Sequence, residues 1–297
     1  MDELQHQNKT KEKTSSSTVS LAAPTLHVFE KIISLGIETA VGFSLLIFSF
    51  LGVNEKDRIQ LRSFCRVFRD ALKPVPLWTS FPHPKYPTLN DLMDKLNDVY
   101  HKDSTKSPKV CFVMEGTFHG NSRVIIKYPI QIIGAGKNKT FLSGYGIHIG
   151  GKKDERKSVV LKDMTMMRSR LYGPVVSNGL SFLCDSMTFT ECGYSGVCAK
   201  NTKGRLINCV ITQCKSSGIY CGKNALIELE GSLTKVDGNG TDVYSDYYGL
   251  ETFDTSSIIH LLSPLVKESI STNNHGGRNF GNRYGGTIQT VNTFNPL

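Results

Sequence analysis

An internal period of about 22 residues constrains this chain more than any other feature. Asp163, Asp185, Asn208 and Glu230 are separated by 22, 23 and 22 residues. Gly196, Gly218 and Gly240 are separated by 22 each, as are Cys192 and Cys214. Between these markers lie apolar runs of three to five residues and turn residues. A repeat this short has no room for two helices, but it suits one coil of a three-faced parallel β-helix. Coils stack at about 4.8 Å, so equivalent side chains form ladders. The expected ladders are a polar one (Asp163, Asp185, Asn208, Glu230) and a glycine one at a corner that needs positive φ. Met187, Phe189, Val197, Val210, Ile219 and Leu233 are expected to fill the core, and Cys198 to stack over Tyr220.

The segment before the repeats supports a capped coil. Leu89, Leu92, Met93, Leu96 and Tyr100 mark one face of a helix over 88–100, with Thr88 as N-cap and Asp91 three residues on. Lys109–Met114 reads as a buried strand, and Ile130–Ile133 runs into Gly134 and Gly136. This order resembles the opening of the pectin-lyase-like family. The matching residues are Thr88, Leu89, Asp91, Leu92, Leu96, Gly116, Phe118, Ile130, Ile132, Ile133, Gly134 and Gly136. The resemblance implies a mainly β, right-handed parallel β-helix over 83–272, with helix 88–100 closing its first coil.

Upstream, residues 1–26 read as a polar tail. Residues 32–53 are apolar and fit two readings, a membrane span or buried amphipathic helices. Leu61, Cys65, Phe68 and Leu72 repeat a helical spacing, with Arg58, Arg62, Arg66 and Arg69 on other faces. The run LLIFSFLGVNEKDRIQLRSFCRVFRDAL, followed by PLW, resembles the second half of an F-box. Leu46, Ile47, Phe50, Leu51, Leu61, Cys65, Arg66, Phe68, Arg69 and Trp78 stand at the matching places, and Thr39 and Ala40 stand where the family has Leu-Pro. For this helical region, 27–82, the resemblance implies contact with a ubiquitin-ligase adaptor subunit through Leu46, Ile47, Phe50, Leu51, Leu61, Cys65 and Phe68. The β-helix would then take a protein substrate.

Catalytic and metal motifs are sparse. The Asn-Thr-Asp, Asp-Asp, Gly-His-Gly and Arg-Ile-Lys set of polysaccharide hydrolases does not occur, and no pair of titratable groups stands out for acid–base work. Gly134–Thr140 lacks the Lys-Ser/Thr step of a phosphate loop. Six of the eight cysteines fall between Cys184 and Cys221 without Cys-x2-Cys spacing, which favours core thiols over zinc or disulfides. No cofactor is implied. The expected role is non-catalytic binding, in the cytoplasm or nucleus because no secretory leader opens the sequence.

Two surface features are candidate ligand sites. One is the acidic and aromatic loop with Asp242, Tyr244, Asp246 and Tyr247. The other is the glycine- and asparagine-rich tail, 273–297, with Arg278 and Arg283 and no acid after Glu268. In a chain of net charge +9 this tail admits nucleic-acid contact, but a plain terminal segment explains it more simply.

Overall fold

The computed structural model describes residues 77–152, 157–242 and 246–293. The adaptor residues Leu46, Ile47, Phe50, Leu51, Leu61, Cys65 and Phe68 lie outside them, as do the apolar run 32–53 and Tyr244. Among the described residues, no helix is long and apolar enough to cross a membrane.

Three sheets of parallel strands dominate, an arrangement consistent with a parallel β-helix. The first sheet has nine strands, from Trp78–Phe81 and Val110–Val113 through Ser181–Asp185, Lys203–Ile207 and Leu226–Glu230 to Ile258–Leu262 and Thr287–Val291. The second has seven, from Gly116–His119 through Thr188–Thr190 and Val210–Thr212 to Ser271–Thr272. The third also has seven: Arg123–Ile126, Gly146–Ile149, Pro174–Ser177, Val197–Lys200, Ile219–Gly222, Leu250–Thr252 and Phe280–Asn282. The chain visits first, second and third sheet in turn, and each circuit hydrogen-bonds to the next.

Inward positions form apolar ladders. In the first sheet Ile132, Leu161, Cys184, Leu206, Leu229 and Leu261 are in register. Met166, Phe189, Ile211 and Val236 do the same in the second sheet, and all are fully buried. Met187, Val197 and Ile219 are core residues, and Cys198 pairs with Tyr220. Two expected core residues are not. Val210 pairs with Thr188 and Lys235 on the outward side, one residue before the true core position, Ile211. Leu233 is 60% exposed because it lies in the turn between Glu230 and Lys235.

Both expected corner ladders change on inspection. Left-handed backbone stacks at Asp163, Ser186, Asn208 and Gly231, and the first three donate their main-chain N–H to the next coil. Asp185 and Glu230 sit one residue earlier, at strand ends in register with Ile207. The left-handed residue is followed by an inward apolar one, as in Asp163-Met164, Ser186-Met187 and Asn208-Cys209. The glycine ladder runs through Gly173, Gly196, Gly218 and Gly249, and Gly240 is not part of it. None of these four has positive φ; only the displaced Gly240 does, at 73°. Glycine is required there by packing. A Cβ on Gly196 would strike Ile211 Cγ2 and lie 2.9 Å from the Gly218 carbonyl, and one on Gly218 would lie 2.5 Å from Val236.

The N-terminal edge is covered by helix Leu89–Lys102, whose N-cap is Thr88 with a reciprocal capping box to Asp91. Leu89, Leu92, Met93 and Leu96 pack into the core. The helix also satisfies the unpaired edge of the third sheet. Asn90 Nδ2 donates to the Arg123 carbonyl at 2.6 Å, and Asn97 Nδ2 to the Ile125 carbonyl at 2.8 Å. Asn97 Oδ1 accepts from Lys127 N at 2.9 Å. Two asparagines seven residues apart thus replace a missing strand.

The coil extends beyond the ends read from sequence. Trp78–Phe81 pairs with Val110–Val113, so Trp78 belongs to the first sheet. Phe280–Asn282 and Thr287–Val291 add strands to the third and first sheets, so much of the glycine-rich segment after residue 272 forms the last circuit.

Candidate functional site: an aromatic groove on the third sheet

After Met167, Thr190 and Thr212 the connections from second to third sheet run six residues, against two at the corners of Asp163, Ser186 and Asn208, and they stack on one another. Gly193 N donates to the Ser169 carbonyl at 2.7 Å, and Tyr194 N to the Leu171 carbonyl at 2.6 Å. Lys215 N donates to the Cys192 carbonyl at 2.9 Å. These loops form one wall beside the outward face of the third sheet. Tyr172 and Tyr194 come from the wall, with ring centroids 5.4 Å apart.

The floor comes from the sheet. Cys198, Tyr220 and Glu251 are in register on three successive strands, and Lys200 lies at the end of its strand. Tyr220 packs against Phe253 at 5.7 Å, and Phe253 against Tyr284 at 5.1 Å. Tyr247 and Arg283 complete a cavity of about 260 Å³.

Glu251 is the one carboxylate lining this cavity, and both its oxygens are engaged. Ser217 Oγ donates to Oε2, and Arg283 Nε lies 2.8 Å from Oε1. Burial pushes the Glu251 pKa up, and Ser217 and Arg283 offset only part of that. The Arg283 guanidinium also lies 5.4 Å from the Tyr248 ring centre, and Lys200 Nζ 5.4 Å from that of Tyr220. A single tied carboxylate does not supply the acid–base pair that sugar hydrolysis uses.

Of the ligand residues expected from sequence, Tyr247 and Arg283 lie in this cavity. Asp246 and Arg278 do not line it, and pair with each other at 2.6 Å. Asp242 is half-buried, its main-chain N donating to the Lys215 carbonyl. Tyr172, Tyr194, Lys200, Tyr220 and Phe253 are not among the ligand residues expected from sequence. The step from Tyr172 to Tyr194 is again 22 residues, so the period, applied to tyrosines, could have found the wall.

The cysteines are free and buried among the described residues. Burial pushes Cys111, Cys209 and Cys221 up to about 12 and Cys198 to about 11, which keeps them as thiols. The Cys214 thiol and burial raise Cys192 in the same direction. Among the described residues, no three His, Cys, Asp or Glu side chains are placed to hold a metal ion. Comparison with protein families, curated proteins and solved structures finds no match to this chain.

Proposed function

We propose that this chain is a non-catalytic binding protein whose third-sheet groove takes an extended segment of a protein partner. One observation carries the reading. Of the eight exposed large apolar side chains among the described residues, Ile125, Leu171, Tyr194, Phe253 and Tyr284 all lie on the third sheet or its flanking loops. A clustered apolar and aromatic surface with a charged rim marks a protein interface more often than chance exposure.

The same reading takes the coil as right-handed, the hand that parallel crossovers adopt. It relates the coil to pectin-lyase-like helices through the Thr88–Leu96 and Ile130–Gly136 motifs. It further takes 27–82 as the F-box-like part that delivers the bound partner to a ligase. A carbohydrate is the second reading, favoured by the ring of Tyr284, which is 73% exposed and free to stack on a sugar.

Quantitative pull-down with the full chain tests both halves. Leu46→Asp with Phe50→Asp is expected to remove the adaptor and keep the partner. Tyr194→Ala with Tyr220→Ala is expected to remove the partner and keep the adaptor. Retention of every bound protein by the tyrosine variant would exclude the groove, and a ligand found only on a glycan array would select the second reading.

A further inference from the structure

Charge is distributed unevenly along the groove. Toward the C-terminal coils, Arg283 is paired with Glu251, and Lys200 lies against the Tyr220 ring. Toward the N-terminal coils a second cavity opens, of about 270 Å³, lined by Asn121, Ser122, Arg123, Ser169, Arg170 and Leu171. Arg123 and Arg170 are both exposed. Neither forms an ion pair among the described residues, and no carboxylate lines this cavity.

The two cavities are neighbours along the same wall. Arg170, Leu171 and Tyr172 are consecutive, the first two lining one cavity and the third lining the other. A Cβ built on Gly146 would lie 2.9 Å from the Tyr172 carbonyl, 3.1 Å from Ser169 Oγ and 3.5 Å from Arg123 Cγ, so Arg123 stands at the junction. Arg123 is in register with Gly146, which keeps the strand beneath it free of side-chain bulk.

We propose that this N-terminal cavity receives a phosphorylated side chain of the partner segment that lies in the groove. The inference rests on the protein-binding reading above and adds the chemistry of the partner. Two guanidinium forks supply paired donors suited to a dianion with three acceptor oxygens, where a single carboxylate would occupy only one fork. Asn121 and Ser122 add neutral donors. A polyanion fits less well. It would need an unpaired cation at each step, whereas the groove beyond Tyr172 offers aromatic rings, a cation already tied to Glu251 and a lysine laid on a ring. The ligand therefore has one strongly charged point and an apolar body.

The test uses the full chain and arrayed peptides of about nine residues, the length that spans a groove of seven strands at about 4.8 Å spacing. Each peptide carries a central phosphoserine, phosphothreonine or phosphotyrosine beside its unphosphorylated twin, with oligouridine as a further probe. Phosphorylated peptides are expected to bind about tenfold or more tightly than their twins. Arg123→Ala with Arg170→Ala is expected to erase that preference at an unchanged melting temperature, and Arg170→Ala alone to reduce it. Equal binding of both peptide forms, lost in Tyr194→Ala with Tyr220→Ala, would overturn the phosphate inference and leave the groove standing. Absence of all peptide binding would overturn both. Preference for oligouridine, or a phosphate preference that survives loss of both arginines, would also overturn the inference.

Discussion

The tight corner and the wide corner of each coil follow different rules. At the tight corner, between first and second sheets, one left-handed residue precedes one inward apolar residue in the coils at Asp163, Ser186 and Asn208. Backbone conformation dominates there, and Asp, Ser, Asn and Gly all serve. At the wide corner, between second and third sheets, the loops vary in length and carry the groove wall. It too opens on a left-handed residue, at Arg168, Glu191 and Gln213, but packing adds a second constraint through the Gly173–Gly249 ladder and the stacked loops. The coil keeps its period at one corner and places the proposed ligand surface at the other.

The largest expected effect tests the packing rule within the wide corner, where both Gly196 and Gly240 lie. Gly196→Ala at the wide corner should cost about 1–3 kcal/mol, because its methyl meets Ile211 and the Cys214 sulfur with no room to give. Gly240→Ala, where a Cβ finds only contacts of 3.5 Å or more, should cost about 1 kcal/mol from its positive φ alone. Denaturant midpoints in the full chain measure both, and a larger loss at Gly240 would break the comparison.

Next comes the tight corner. Asn208→Ala should cost about 1–2 kcal/mol through the left-handed backbone and the lost bond from Leu233 N to its Oδ1 at 3.2 Å. Asn208→Gly should recover part of that loss by relieving the backbone while leaving the bond unmade. Equal losses in the two variants would mean that φ does not set this corner.

A smaller effect concerns pH. The Glu251 carboxyl is raised above the usual 4.5 by burial. A folded-state pKa above the unfolded value favours the fold while the group is protonated. That contribution is complete below 4.5 and is lost as pH rises through the raised folded value. Wild type should therefore gain on Glu251→Gln in melting temperature as pH falls from 7 toward 4. A constant difference across that range would show that Glu251 does not titrate differently on folding. Smallest of all, Tyr194→Ala should change stability by no more than about 0.5 kcal/mol, since its ring is 44% exposed. A loss comparable to that of Gly196→Ala would make Tyr194 a structural residue.

The period, the capping helix with Thr88 and Asp91, and the cysteine core were legible in the sequence because each depends on local pattern. Ladder register was not. Asp163, Asp185, Asn208 and Glu230 look alike chemically, yet two of them sit at the left-handed corner and two at strand ends. Ser186 and Gly231 fill the remaining corner places, and nothing in their residue type sets them beside an aspartate. Val210 and Ile211 are equally apolar, so only sheet pairing tells which faces inward. The groove was half legible. Tyr247 and Arg283 were legible as loop and tail candidates, and Tyr172 and Tyr194 obey the period, but Phe253 and Tyr284 join it only across the long loop after Asp237, where the period stretches.

The central claim is that the outward face of the third sheet is the binding face. Photo-crosslinking compares it with the first sheet directly, using a benzophenone amino acid placed at position 194, 220 or 183 of the full chain. Leu183 points outward from the first sheet, in register with Arg205. The account predicts partner adducts from positions 194 and 220 and none from 183. Adducts from 183 alone would place the partner on the first sheet and contradict it.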